Sequence, residues 1–124
     1  MRLSYLLTAA VLLLGPSVAL AHEGAGPHGG QLTDIQGHHV EFTVKDKEVV
    51  LYLTDNKGGP IDSKGASGRV VILDGGKQTS ADLTPVDPNL LTAKLEAAPT
   101  PGAKMVLSAK LVDGHELQAR FVAK

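Results

Sequence analysis

His38-His39-Val40-Glu41-Phe42-Thr43-Val44-Lys45 sets Val40, Phe42 and Val44 on one face and His39, Glu41 and Thr43 on the other. A period of two marks a half-buried strand, because successive side chains leave a pleated backbone on opposite sides. After a polar turn around Asp46, Glu48 to Thr54 resumes the alternation through Val49, Leu51 and Leu53. The rest of the chain keeps this rhythm. Arg69 to Leu73 and Lys77 to Leu83 flank Asp74-Gly75-Gly76, and Met105 to Val112 and His115 to Val122 flank Asp113-Gly114. Both are hairpin signals, since tight hairpin turns need positive φ and glycine adopts it freely. Asn89 to Leu95 is a further candidate strand, preceded by Pro85 and Pro88. About seven short strands at this spacing predict an all-β fold, a small antiparallel β-sandwich of immunoglobulin-like, Greek-key type. Leu90 to Ala98 is the nearest helical rival, and Pro88 and Pro99 keep it short.

The first residues read differently. Met1-Arg2 is a positive start, Leu6 to Leu14 is apolar apart from Thr8, and Gly15-Pro16 then breaks the run before Ala19-Leu20-Ala21. These are the three parts of a secretory signal peptide with a small-x-small cleavage site. The apolar run is too short to cross a hydrocarbon core of about 30 Å, which needs ~20 residues. The expected organisation is a signal peptide over 1–21, a Gly/His-rich segment over 22–30 and the β-sandwich domain over 31–124. The mature protein is expected to be periplasmic, with His22 as its first residue and no stable membrane anchor.

Composition narrows the function. The chain has 124 residues, room for one ordinary domain, and a formal net charge of −1 that excludes an electrostatic nucleic-acid binder. It has no cysteine, hence no disulfide framework, thiolate metal site or Cys nucleophile. Beyond the leader its aromatic residues are Phe42, Tyr52 and Phe121, too few for a platform that stacks sugars or bases. There is no G-x-S-x-G elbow, no H-E-x-x-H and no phosphate loop, so an enzyme is not expected.

Histidine is the informative residue. All five lie beyond the leader, and four fall between His22 and His39. Cleavage after Ala21 gives His22 a free α-amine beside its imidazole, and the two can close one chelate ring on a metal. Their reference pKa values, about 7.7–8.0 and 6.5, let both shed protons near neutrality. Nitrogen-rich ligation favours Cu(II), with Zn(II) or another divalent transition metal as the alternative. His28, among glycines that permit tight backbone paths, can bend towards the same site. Asp113 and His115 flank Gly114 at a turn and add an oxygen and a nitrogen at one end of the domain. His38 and His39 are secondary candidates. Strand alternation sends their rings to opposite faces, so one mononuclear site cannot readily use both. His38 shares the phase of Val40 and reads as a capping or core-edge histidine, whereas His39 reads as exposed.

Two resemblances carry expectations of their own. Pro27-His28-Gly29-Gly30-Gln31-Leu32, His39-Val40-Glu41-Phe42, Leu51-Tyr52-Leu53-Thr54-Asp55 with Pro60-Ile61, and Gln118-Ala119-Arg120-Phe121 form one pattern. It resembles the small N-terminal periplasmic domain of heavy-metal RND efflux adaptor subunits and its stand-alone relatives. That resemblance implies a periplasmic β-domain linked to metal export, without fixing a ligand set. The N-terminal histidine and Asp113-Gly114-His115 are similar to the two ends of periplasmic copper-carrier proteins, which are Greek-key sandwiches. The expected function is therefore a periplasmic metal-binding protein, a carrier, buffer or donor that meets an efflux or metal-homeostasis partner. The alternative is a non-metal interaction domain that docks on an efflux adaptor or another envelope protein.

Overall fold

The computed structural model describes residues 24–124. The leader over 1–21 and the candidate ligand His22 lie outside the described residues. Nine strands follow in chain order: β1 (Gly24–Ala25), β2 (Gln31–Ile35), β3 (His38–Lys45), β4 (Glu48–Asp55), β5 (Ser67–Asp74), β6 (Lys77–Val86), β7 (Leu90–Lys94), β8 (Lys104–Lys110) and β9 (Glu116–Val122). The described residues contain no helix. The seven strands expected from the sequence correspond to β3 through β9. β1 and β2 lie outside that pattern, because β1 is only two residues long and β2 mixes polar and apolar positions.

All pairings are antiparallel, and the strands lie in the order β1-β2-β3-β4-β7-β6-β5-β8-β9. This is one continuous curled sheet, where the sequence reading expected two stacked ones. β6 explains the continuity. Its first part, Lys77 to Leu83, pairs with β5, and its last part, Thr84 to Val86, pairs with β7. One strand thus serves both halves of the sheet and turns the corner between them, as strands do at the corners of orthogonal packings.

The concave face holds the core, and the alternation read from the sequence decides its members. Val40 and Phe42 of β3 and Val49, Leu51 and Leu53 of β4 are essentially inaccessible. Val70, Leu83, Leu91, Met105, Leu107, Leu117 and Phe121 meet them from the other strands. Phe42 and Phe121 stack at 4.3 Å between ring centroids with planes 7° apart, joining an early strand to the last. Buried Ser63 donates its hydroxyl to the carbonyl of Val86 at 3.0 Å, tying the long β4–β5 connection to the end of β6. This apolar core does not draw on the histidines. The metal-free protein is therefore expected to give a β-dominated far-UV spectrum and to unfold cooperatively. A coil spectrum in metal-free buffer would show instead that folding needs the ion, as in small zinc modules.

Two hairpins matter for the site. Gln36 (φ 51°) and Gly37 (φ 80°) make the two-residue turn between β2 and β3, with positive φ at both positions, as a type I′ turn requires. The β8–β9 connection is longer than Asp113-Gly114 alone suggested. Leu111 N donates to His115 O at 2.9 Å and Gly114 N to Leu111 O at 3.0 Å, so the loop is Val112-Asp113-Gly114. Gly114, at φ 90°, takes the left-handed position of this three-residue loop.

Candidate metal centre

The period-two pattern that builds the core also brings the site together. His38 starts β3 in phase with Val40 and Phe42, and His115 precedes β9 in phase with Leu117 and Phe121. Each ring therefore stands at the rim of the concave face. Because the sheet curls, the β2–β3 and β8–β9 hairpins meet there. The His38 and His115 rings lie 5.0 Å apart between centroids, with planes tilted by 59°. One ligand atom each from His38, Asp113 and His115 can be chosen so that all lie within 4.8 Å of one another.

Local hydrogen bonds prepare these atoms. His38 Nδ1 lies 3.1 Å from the carbonyl of Gln36 and 3.3 Å from that of Ile35. Carbonyl oxygens only accept, so Nδ1 carries a proton, and the neutral imidazole then has its lone pair on Nε2. Nε2 faces Asp113 Oδ2 at 3.8 Å. Such second contacts orient metal-bound histidines. Asp113 in turn grips His115 twice. Oδ1 accepts the backbone N–H of His115 at 2.9 Å, and Oδ2 lies 2.7 Å from its Nδ1. The His115 side-chain hydrogen bond, then its backbone N–H, holds the Asp113 carboxyl below the usual carboxylate range.

The site is shallow. The His38 side chain is 13% exposed, while those of Asp113 and His115 are 45% and 53% exposed. Tetrahedral ligation at 2.0–2.1 Å brings ligand atoms to about 3.3 Å from one another, so the two exposed side chains must close in slightly. Two imidazole nitrogens and a carboxylate oxygen suit Cu(II), Zn(II) and similar divalent ions, and three ligands leave open positions.

The other candidates fall elsewhere. His39 points to the opposite face, as the alternation requires, where its Nδ1 pairs with Asp34. His28 is not part of the group. The segment before β2 folds across the convex face of β3, and His28 stacks on Tyr52 at 3.7 Å with planes 4° apart. Its Nδ1 lies 2.7 Å from Glu41 Oε1, while Glu41 Oε2 accepts the backbone N–H groups of His28 and Gly30 at 2.8 and 2.9 Å.

Glu41, in the outward phase of β3, is consequently 2% exposed rather than solvated. The glycines allow this burial. A Cβ on Gly26 would meet Glu41 Cδ at 2.2 Å, and one on Gly30 would meet the Phe42 carbonyl at 2.5 Å. The sequence reading did not single out Glu41 or Tyr52. Glycine density over 24–30 is the one signal that could have pointed to a close backbone approach.

Comparison of the chain with family models, curated proteins and solved structures finds no match.

Proposed function

We propose that this protein is an exported, periplasmic binding protein for a divalent transition metal, Cu(II) foremost and Zn(II) as the alternative. It acts as a carrier, buffer or donor in metal efflux or homeostasis. The observation that carries the reading is the convergence of His38, Asp113 and His115 from the two ends of the sheet. The His38 tautomer, set by backbone carbonyls, supports a ligand role for Nε2. Exposure of Asp113 and His115 supports exchange with a partner rather than a sealed structural ion. The leader pattern supports export, and both resemblances point to the same compartment and the same class of ligand. The order β7-β6-β5-β8 supports the finer description of the fold as a Greek-key sandwich whose halves share β6.

Equilibrium dialysis of the processed protein against Cu(II), and separately Zn(II), tests the reading. One tightly retained equivalent is expected. Retention no tighter than that of an unrelated protein with surface histidines would favour the interaction-domain alternative.

His22 belongs to the same proposal as an additional ligand, through its α-amine and imidazole. A protein keeping one extra residue before His22 loses the amine chelate and no side chain. Its Cu(II) affinity is expected to fall at least about tenfold, or ~1.4 kcal/mol. Equal affinities would remove the α-amine from the ligand set and leave His38, Asp113 and His115 in place.

A further inference from the structure

The curl of the sheet sets its two ends side by side without joining them. β9 pairs only with β8, while β2 pairs with β3 along its length and with β1 only at Gln31 and Leu32. Among the described residues no main-chain hydrogen bond links β2 to β9. A seam therefore runs between them, bridged by side chains at its two ends. At one end Gln31, opposite Phe42 in register, donates from Nε2 to the Val122 carbonyl at 2.7 Å. At the other end His38 faces Asp113 and His115.

We propose that the metal site is a clasp: one divalent transition-metal ion, held by His38 on one side and by Asp113 and His115 on the other, fastens the open seam of the sheet. The inference rests on the metal reading above and adds a consequence of where the ligands come from. Val122 turns its carbonyl into the seam, and the two-residue period of strand hydrogen bonding turns Arg120, Gln118 and Glu116 the same way. These are the unpaired backbone groups of an edge strand. Without the ion, the contact across this end is a 3.8 Å approach of His38 to a half-exposed carboxylate, which solvent screens. Opening of the seam at this end, where the β8–β9 turn stands clear of the buried Leu117 and Phe121, is then a local event of low free energy. With the ion bound, the same opening must break a metal–ligand bond. Metal occupancy thereby decides whether this end of the β9 edge is held closed or free to lift.

Amide hydrogen exchange on the processed protein, with and without saturating Zn(II) as a diamagnetic probe, reads this directly. Dialysis of the same samples measures zinc bound. Zinc is expected to slow exchange of the bonded amides nearest the ligands in the β2–β3 and β8–β9 hairpins, which fray when this end opens, at least about tenfold, equivalent to ~1.4 kcal/mol of opening free energy. The β5–β6 hairpin around Gly75-Gly76 keeps its rates. In His38→Ala the clasp keeps only Asp113 and His115, which sit on one hairpin, so zinc retained by them leaves the β2–β3 hairpin unprotected. Bound zinc with no slowing in wild type, or with equal slowing throughout the sheet, overturns the clasp. Equal slowing is the mark of ordinary ligand stabilisation of the whole fold, and in either case the metal-binding reading stands. Absence of bound zinc and copper overturns both.

Discussion

Replacing His115 by alanine is expected to lower Cu(II) and Zn(II) affinity about a hundredfold, or ~2.7 kcal/mol. The substitution removes one of the two imidazoles in the His38-Asp113-His115 group and leaves Asp113 without the Nδ1 partner it holds at 2.7 Å. Folding is expected to survive, since the ring is half exposed and adds nothing to the core. His38→Ala should match the affinity loss, whereas His28→Ala and His39→Ala should not, because Glu41 and Asp34 hold those rings elsewhere. Asp113→Asn is expected to fall between. The amide keeps an acceptor for the backbone N–H of His115 but loses the negative charge. Isothermal titration of each variant, with its ligand-field spectrum, decides the matter. Wild-type affinity in His115→Ala with abolished binding in His28→Ala would move the site to the N-terminal segment.

The pH dependence of that affinity has a fixed sign. The Asp113 carboxyl is lowered from its ordinary value of 3.8, chiefly by the His115 side chain. A carboxylate lowered in the folded state is ionised throughout the neutral and mildly acidic range, and its contribution is lost only as pH falls through the lowered value. Metal loss on mild acidification therefore comes from proton competition for the imidazole ligands and not from Asp113. Retention of metal well below that range would argue against imidazole ligands.

Glu41→Ala is expected to be the most destabilising substitution outside the apolar core, at about 3 kcal/mol. The carboxylate is the common acceptor for His28 N, His28 Nδ1 and Gly30 N, and it is almost fully buried. Removing it orphans two backbone donors and the imidazole, and it opens a void beneath Gly26 and Gly30. Glu41→Gln should cost far less, about 1 kcal/mol or under. Its amide oxygen can still accept both backbone N–H groups, and its NH₂ can donate to Nδ1 once the imidazole takes the other tautomer. Urea unfolding of the two variants separates a hydrogen-bonding role from mere bulk. Equal losses would mean that the segment over 24–30 is held by packing on Tyr52 instead. Metal affinity should be unchanged in Glu41→Gln, because Glu41 lies on the face of β3 opposite to His38.

Much of this protein is determined by the sequence alone, because strand periodicity is a local property. The alternation over 38–45 and 48–54, and the glycines of the turns, suffice to identify an all-β chain and most of its core. Local pattern also separates His38 from His39, and it puts Asp113 and His115 at one turn. Pairing between distant strands is not local, and tertiary structure alone decided it. That β6 serves two neighbours, and that the β2–β3 and β8–β9 hairpins meet at one rim, depends on the curl of the whole sheet. His38 therefore reads in sequence as a core-edge histidine and a secondary candidate ligand, and it joins Asp113 and His115 only when the β8–β9 hairpin arrives beside it. The same holds for Glu41. Its outward phase predicts solvent, and a glycine-rich segment with no strong conformational preference of its own covers it, because three donors there converge on one carboxylate.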